Sequence, residues 1–462
     1  MRPIALLLLA AILSCDGNGE PWSPCAVTTA IATTRAECAI FERPRAGTMS
    51  TLPVAVTRLP APAEMTAQLW MLQGGPGGSG TSLVDAAVEL QRRMPGLEIE
   101  LLDHRGTGRS SYLGCPSNDL VACAADIARS ESLSAYQTGE AARDLGALIE
   151  RLRVPGKPVL VWGGSYGAYW AHRYVEQTPD RVDGVILDSG CLATTCDVST
   201  IDRDLEDEAR IYLERCGADA SCAAHAGIDP WSTTRGLAAR IASGWCAEAK
   251  LDQAGLRSLL ALVALETPTL LPPLVHRLDR CDARDARAFA FMRAALTRPG
   301  GGDPGFSSVL QDTVVLSELW HATSDVTAPP NAVISTGQVA RWSAEWPAWP
   351  RYVPDADATT WAKTKVPILV IRGARDLRLR PDVSAEGAKR LGVREVVVPD
   401  AGHGVLLHSA CGTSIIVAFL RQPQAALDVS CTTLAAPIEL RPDEKASTAF
   451  FGTPDAWDGA PP

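Results

Sequence analysis

An alternation of short apolar runs and helical stretches, broken near Gly190 and resumed at Val366, constrains the fold of this chain more than any other feature. Before the break, LPVAVTRL (52–59) and AQLWMLQ (67–73) read as strands, the second almost wholly apolar, as a strand covered on both faces must be. The glycine-rich loop GGPGGSG (74–80), a helix near 83–94 and the strand-and-turn EIELLDHRGTGRS follow. Residues 138–152 place apolar positions three and four apart, with Thr138 as N-cap and arginines late, which predicts a helix. VPGKPVLVWGGSYG is a strand running into a sharp turn and a helix over 165–177, and VDGVILDSG is another buried strand. After the break come VPILVIRGARD, a helix at 384–391, REVVVPDAGHG and a helix at 413–421. This order predicts a mostly parallel, doubly wound α/β sheet. Neither half would complete a sheet alone, so the chain reads as one α/β core, 45–190 with 362–436, carrying a helical cap over 191–361. Residues 15–44 form an entry segment, and the Pro-, Gly- and Asp-containing stretch 437–462 is expected to be an irregular tail.

The first residues, MRPIALLLLAAILSCDG, combine a positive Arg2 with an apolar run from Ile4 to Leu13, too short to cross a bilayer as a mature helix. We read 1–14 as an export signal, and Leu13-Ser14-Cys15 resembles a bacterial lipobox in which Cys15 receives the lipid. Cysteine parity points the same way. Of 13 cysteines, lipidation of Cys15 leaves an even number for pairing in an oxidising compartment. The expectation is a protein held on the bacterial cell envelope, periplasmic or outer, whose only membrane contact is a lipid anchor; simple secretion is the alternative. A net charge of −10 without a Lys/Arg run argues against nucleic acid as a partner. Among 7 histidines no zinc spacing occurs, and no calcium loop is visible, so no metal is expected.

Gly163-Gly164-Ser165-Tyr166-Gly167 fits G-x-S-x-G, and its position between an apolar strand and a helix is what a nucleophile elbow requires. A serine nucleophile needs a base and the base needs an orienting acid. Asp376 follows one late strand and His403 the next, which places both at the carboxyl edge of the sheet in the order nucleophile, acid, histidine. The oxyanion formed in acyl transfer needs fixed N–H donors, for which the backbone amides of Tyr166 and Gly75 are the candidates. Asp103 and Arg105, just past a strand, are expected to form a salt bridge shaping the floor of the site. The 4 tryptophans between 342 and 361 are expected to pack the cap on the core. Such acyl transfer needs no cofactor.

GGPGGSG, DHRGTGRS, GGSYGAYWA, PILVIRGARD and DAGHG, in this order, resemble the prolyl iminopeptidase and tripeptidyl aminopeptidase branch of the α/β hydrolases over roughly 45–190 and 362–431. The resemblance implies an α/β-hydrolase fold with a helical cap and a serine exopeptidase acting on peptides with a free N-terminus. It also implies a bridge between a cysteine soon after the histidine and one near the C-terminus, matched by Cys411 and Cys431. Cys25 with Cys38 and Cys115 with Cys123 are further short-range candidates, and the 6 cysteines of the cap leave their pairing open. Such relatives set a cap carboxylate against the substrate ammonium; Glu318 in VVLSELW stands nearest that position, although Ser317 and Leu319 depart from the pattern. The competing readings are a carboxylesterase or lipase-like acyl hydrolase and a binding protein on a dead hydrolase scaffold.

Overall fold

The computed structural model describes residues 21–28, 33–116, 119–130, 132–296, 303–321, 332–361, 363–434 and 440–461. The proposed export signal and Cys15 lie outside them. The strands are β1 (Ser23–Thr28), β2 (Thr33–Pro44), β3 (Thr51–Leu59), β4 (Ala67–Leu72), β5 (Leu97–Leu102), β6 (Val159–Gly164), β7 (Gly184–Asp188), β8 (Ile368–Gly373) and β9 (Glu395–Val398). They form one sheet in the order β1-β2-β3-β5-β4-β6-β7-β8-β9. Pairing is antiparallel from β1 through β3 to β5 and parallel from β5 to β9. From β4 the chain steps outward to β5 and then returns to the other side, to β6. The loops after β4 and β6 therefore open at a topological switch point, where ligand crevices form in such sheets.

Two apolar layers bury the sheet. On one face Leu69, Met71, Ile99 and Ile186 pack with the helices Val84–Arg93 and Ala410–Arg421. On the other, Trp70, Val161, Val185 and Val370 pack with Thr138–Leu152, Tyr166–Gln177 and Pro381–Leu391. The residues of β4, β5, β6 and β7 are all buried, which is why β4, β6 and β7 read as near-continuous apolar runs, whereas β5 alternates Glu98 and Glu100 with apolar residues and the Gln68 side chain donates to both carboxylates at 3.1 Å. Between β7 and β8 lie helices with their own core of Leu205, Leu260, Leu274 and Phe289. A further cluster, with Tyr166, Tyr169, Trp320, Trp342 and Trp349, joins them to the sheet. Trp342 and Trp349 thus pack the cap as expected, and Trp342 also reaches the cavity described below.

Two segments differ from the sequence reading. The entry segment supplies β1 and β2, so the sheet begins well before residue 45; β2 buries Ala36 on one face and Ala39 and Phe41 on the other, a pattern its Thr and Arg content obscures. The tail expected to be irregular carries the helix Glu444–Phe451, capped by Asp443 through the Ala446 amide. It is ordered by tertiary contact: buried Arg277 donates to the carbonyls of Ala456, Asp455 and Gly459. The structure joins Cys25–Cys38, Cys115–Cys123 and Cys411–Cys431, and pairs the cap cysteines as Cys191–Cys196, Cys216–Cys222 and Cys246–Cys281. These bridges fit an exported protein. Among the described residues no helix is long and apolar enough to cross a membrane.

Candidate active site

Ser165 stands between β6 and the helix Tyr166–Gln177 with φ 56° and ψ −124°, a conformation that costs a non-glycine residue about 1–3 kcal/mol. The turn is held by the Ser165 amide, which donates to the Asp188 carbonyl at 2.9 Å. Strand and helix approach so closely that side chains at the flanking glycines are impossible. A Cβ on Gly163 would lie 2.1 Å from the Gly167 carbonyl oxygen, and one on Gly167 would lie 2.1 Å from that of Leu72. The elbow motif is thus a packing requirement before it is a chemical one.

Asp376, after β8, and His403, after β9, meet side chain to side chain. His403 Nδ1 lies 2.9 and 3.0 Å from the two carboxylate oxygens. Asp376 is buried and its Oδ1 also accepts the amides of Arg378 (2.9 Å) and Leu379 (3.2 Å), which fix the carboxylate before any ligand arrives. With Nδ1 carrying the hydrogen toward Asp376, Nε2 is left as the basic nitrogen. His403 and Ser165 line the same cavity, of about 590 Å³, together with Gly75 and Tyr166. The Gly74 amide is taken by the Gln73 side chain at 2.7 Å, whereas the amides of Gly75 and Tyr166 donate to no partner among the described residues.

Several supports were not legible in the sequence. Buried Asp188, at the end of β7, accepts the amides of Val405 (2.8 Å) and Leu406 (3.1 Å), and Ser189 Oγ accepts that of Gly404 (3.0 Å), so the DSG turn clamps the loop carrying His403. Burial pushes the Asp188 carboxyl up from the ordinary carboxylate range, against the pull of those amides. The Tyr166 ring also has a role. His104 Nδ1 faces the Arg105 carbonyl at 2.7 Å and must donate to it, so Nε2 accepts the Tyr166 hydroxyl at 3.2 Å, which in turn takes the Thr138 hydroxyl at 2.6 Å.

Burial lowers the His104 pKa to about 4 and that of His172 to about 3, from 6.5. Both rings are therefore neutral when folded, while the unfolded chain binds protons through pH 6.5. The contribution of these two rings to stability is fully present above pH 6.5 and falls as the pH drops toward 4, by at most about 1.4 kcal/mol per pH unit for each histidine. Urea midpoints at pH 7 and pH 4.5 should show this loss, and His104→Gln should flatten it by one histidine's share; an unchanged slope in the variant would show that His104 is charged in the folded state.

Two expectations are corrected. Asp103 and Arg105 do not pair with each other. Asp103 accepts the amides of Gly80 (2.8 Å) and Arg109 (2.9 Å), tying the glycine loop to the turn after β5. Arg105 turns instead to Asp144 on the helix Thr138–Leu152, with Nη2 at 2.8 Å, to Glu140 at 3.2 Å and to the carbonyls of Ala135 and Pro44. Glu318 is buried and does not line the cavity. Its oxygens accept the Thr138 amide (2.9 Å) and the hydroxyls of Tyr169 (3.1 Å) and Tyr352 (2.5 Å), so it braces the wall from behind. Those donors satisfy it, which removes the reason to expect it at a substrate ammonium.

The nine-stranded sheet, the elbow and the carboxylate-oriented histidine are those of an α/β-hydrolase fold. A family model described as alpha/beta hydrolase fold matches residues 69–223, and one described as TAP-like protein matches residues 333–431. Among solved structures the chain is similar to proline iminopeptidase from Mycobacterium smegmatis, at 14% identity and TM-score 0.39, covering 83% of this chain and 98% of that one. It is similar to a thermophilic esterase from Thermogutta terrifontis at 15% identity and TM-score 0.38, covering 84% and 99%. Neither likeness bears on the reaction. No curated protein matches the sequence.

Proposed function

We propose that this chain is a serine hydrolase that removes residues or short peptides from the free N-terminus of peptide substrates. The observation that carries the reading is His403, oriented by Asp376 and opening on the cavity that Ser165 enters from a strained turn. His403 Nε2 takes the Ser165 proton as Oγ attacks the carbonyl, and the Gly75 and Tyr166 amides receive the oxyanion. His403 then gives the proton to the departing nitrogen, and water resolves the acyl-enzyme by the same route in reverse. The TAP-like match and the cap over the cavity support cleavage near a chain end. Of the carboxylates on the cavity wall, Asp204 and Asp382 pair with Arg380, whereas Asp197 accepts the Ser199 amide and hydroxyl at Oδ1 alone and has no cationic partner among the described residues. We assign Asp197, in place of Glu318, to the substrate ammonium. Anchoring to the envelope through a lipid on Cys15 completes the reading.

Acyl-ester hydrolysis by the same groups is the second reading, favoured by the withdrawal of Glu318 from the cavity. Rates on free and N-acetylated aminoacyl and tripeptidyl amides, beside p-nitrophenyl esters, test both. Blocking the amine should lower kcat/KM at least about tenfold, an effect that shrinks in Asp197→Asn. Turnover of esters with none of the amides would leave only the second reading.

A further inference from the structure

We propose that the polar cleft on the far side of His403 binds the leaving polypeptide, the chain that follows the scissile bond. The inference rests on the aminopeptidase reading above. Two cavities meet at His403 and Arg378, which line both. The inner one, about 590 Å³, contains Ser165, Gly75 and Tyr166; the outer one, about 1120 Å³, contains none of the three.

Stereochemistry assigns the two halves of the substrate. When Ser165 Oγ adds to a peptide carbonyl, the carbon carries Oγ, the oxyanion, the acyl chain and the nitrogen of the departing chain. The oxyanion is held by the Gly75 and Tyr166 amides. The nitrogen must lie at His403 Nε2, because that atom returns to it the proton taken from the serine as the C–N bond breaks. The departing chain therefore leaves past His403, and the acyl part stays on the Ser165 side. The outer cleft begins at His403 and reaches solvent without passing Ser165.

The walls of that cleft suit a polypeptide better than a hydrocarbon or a small alcohol. It is nearly twice the volume of the inner cavity. Leu265, Ala446 and three prolines supply its apolar wall, and the remaining side chains are polar. Both charge signs are present, and the pair Glu444 and Lys445 on the tail helix has no ion-pair partner among the described residues. Arg378, at the junction, is held by Glu266 from the cap. His408, also in the cleft, has its Nδ1 3.0 Å from the His403 carbonyl, so occupancy there touches the loop that carries the base. A wall of alternating sign with open donors and acceptors fits an extended backbone and its terminal carboxylate. A fatty acyl chain would need a continuous apolar lining.

The test compares two substrates sharing the same N-terminal residues, one continuing for about five residues beyond the scissile bond and one ending in p-nitroanilide. The readout is the ratio of their kcat/KM values, which cancels any loss of folded enzyme. Ala446→Trp, which fills the cleft, should lower the ratio about tenfold or more, and Lys445→Glu should lower it severalfold. A ratio unmoved by both variants overturns the cleft assignment while leaving the aminopeptidase reading intact. Wild-type enzyme that cleaves esters and neither peptide overturns the aminopeptidase reading, and this inference with it.

Discussion

Replacing Ser165 with Ala should lower kcat/KM by on the order of 10⁴-fold or more, and should abolish labelling of the folded protein by a fluorophosphonate. The magnitude follows from the unit character of the proposed triad: without the nucleophile, His403 and Asp376 have no proton to move, and only binding and the oxyanion donors are left to act. Retention of rates within tenfold of wild type would remove the enzyme reading as stated. The backbone supplies an independent check. Ser165 holds φ 56°, which glycine adopts without penalty. Ser165→Gly should therefore be as inactive as the alanine variant yet at least as stable as wild type, by about 1 kcal/mol or more. A merely structural serine would leave the rate untouched.

The second large effect is one of stability. Arg105 is a buried guanidinium that satisfies Asp144, Glu140 and two carbonyls at once. Substitution by Ala leaves Asp144 buried with Arg43, 3.0 Å away, as its remaining cation, and leaves the Ala135 and Pro44 carbonyls without their donor. Breaking a buried network of this kind costs about 3–5 kcal/mol. Lysine should recover little of it, because a single ammonium cannot span the fork of contacts that Arg105 makes. Urea midpoints of the two variants measure both statements, and a loss below about 1 kcal/mol would show that water or a neighbouring cation takes over.

The parts of the site that could be read from sequence are those fixed locally. Ser165 was legible because an apolar strand, two glycines and a helix must be contiguous for the elbow to form. Asp376 and His403 each sit one turn past a strand whose apolar run is unambiguous. Partners chosen by tertiary packing were not legible. Arg105 has an aspartate two residues away and uses one 39 residues away, because the fold brings the helix Thr138–Leu152 directly against it. Glu318 lies on a helical turn held by Tyr169 from the core helix Tyr166–Gln177 and by Tyr352 from the cap. Asp188 looked like the end of a strand, and only the return of the chain at Val405 shows what it holds.

The anchoring of the tail bears on how the cap withstands proteolysis. Arg277 is fully buried, and apart from Asp285 its acceptors are the carbonyls of Asp455, Ala456 and Gly459. A chain cut before them holds a cation in the middle of its cap with most of its partners lost. Proteolytic trimming beyond the helix Glu444–Phe451 would therefore loosen the cap as well as the tail.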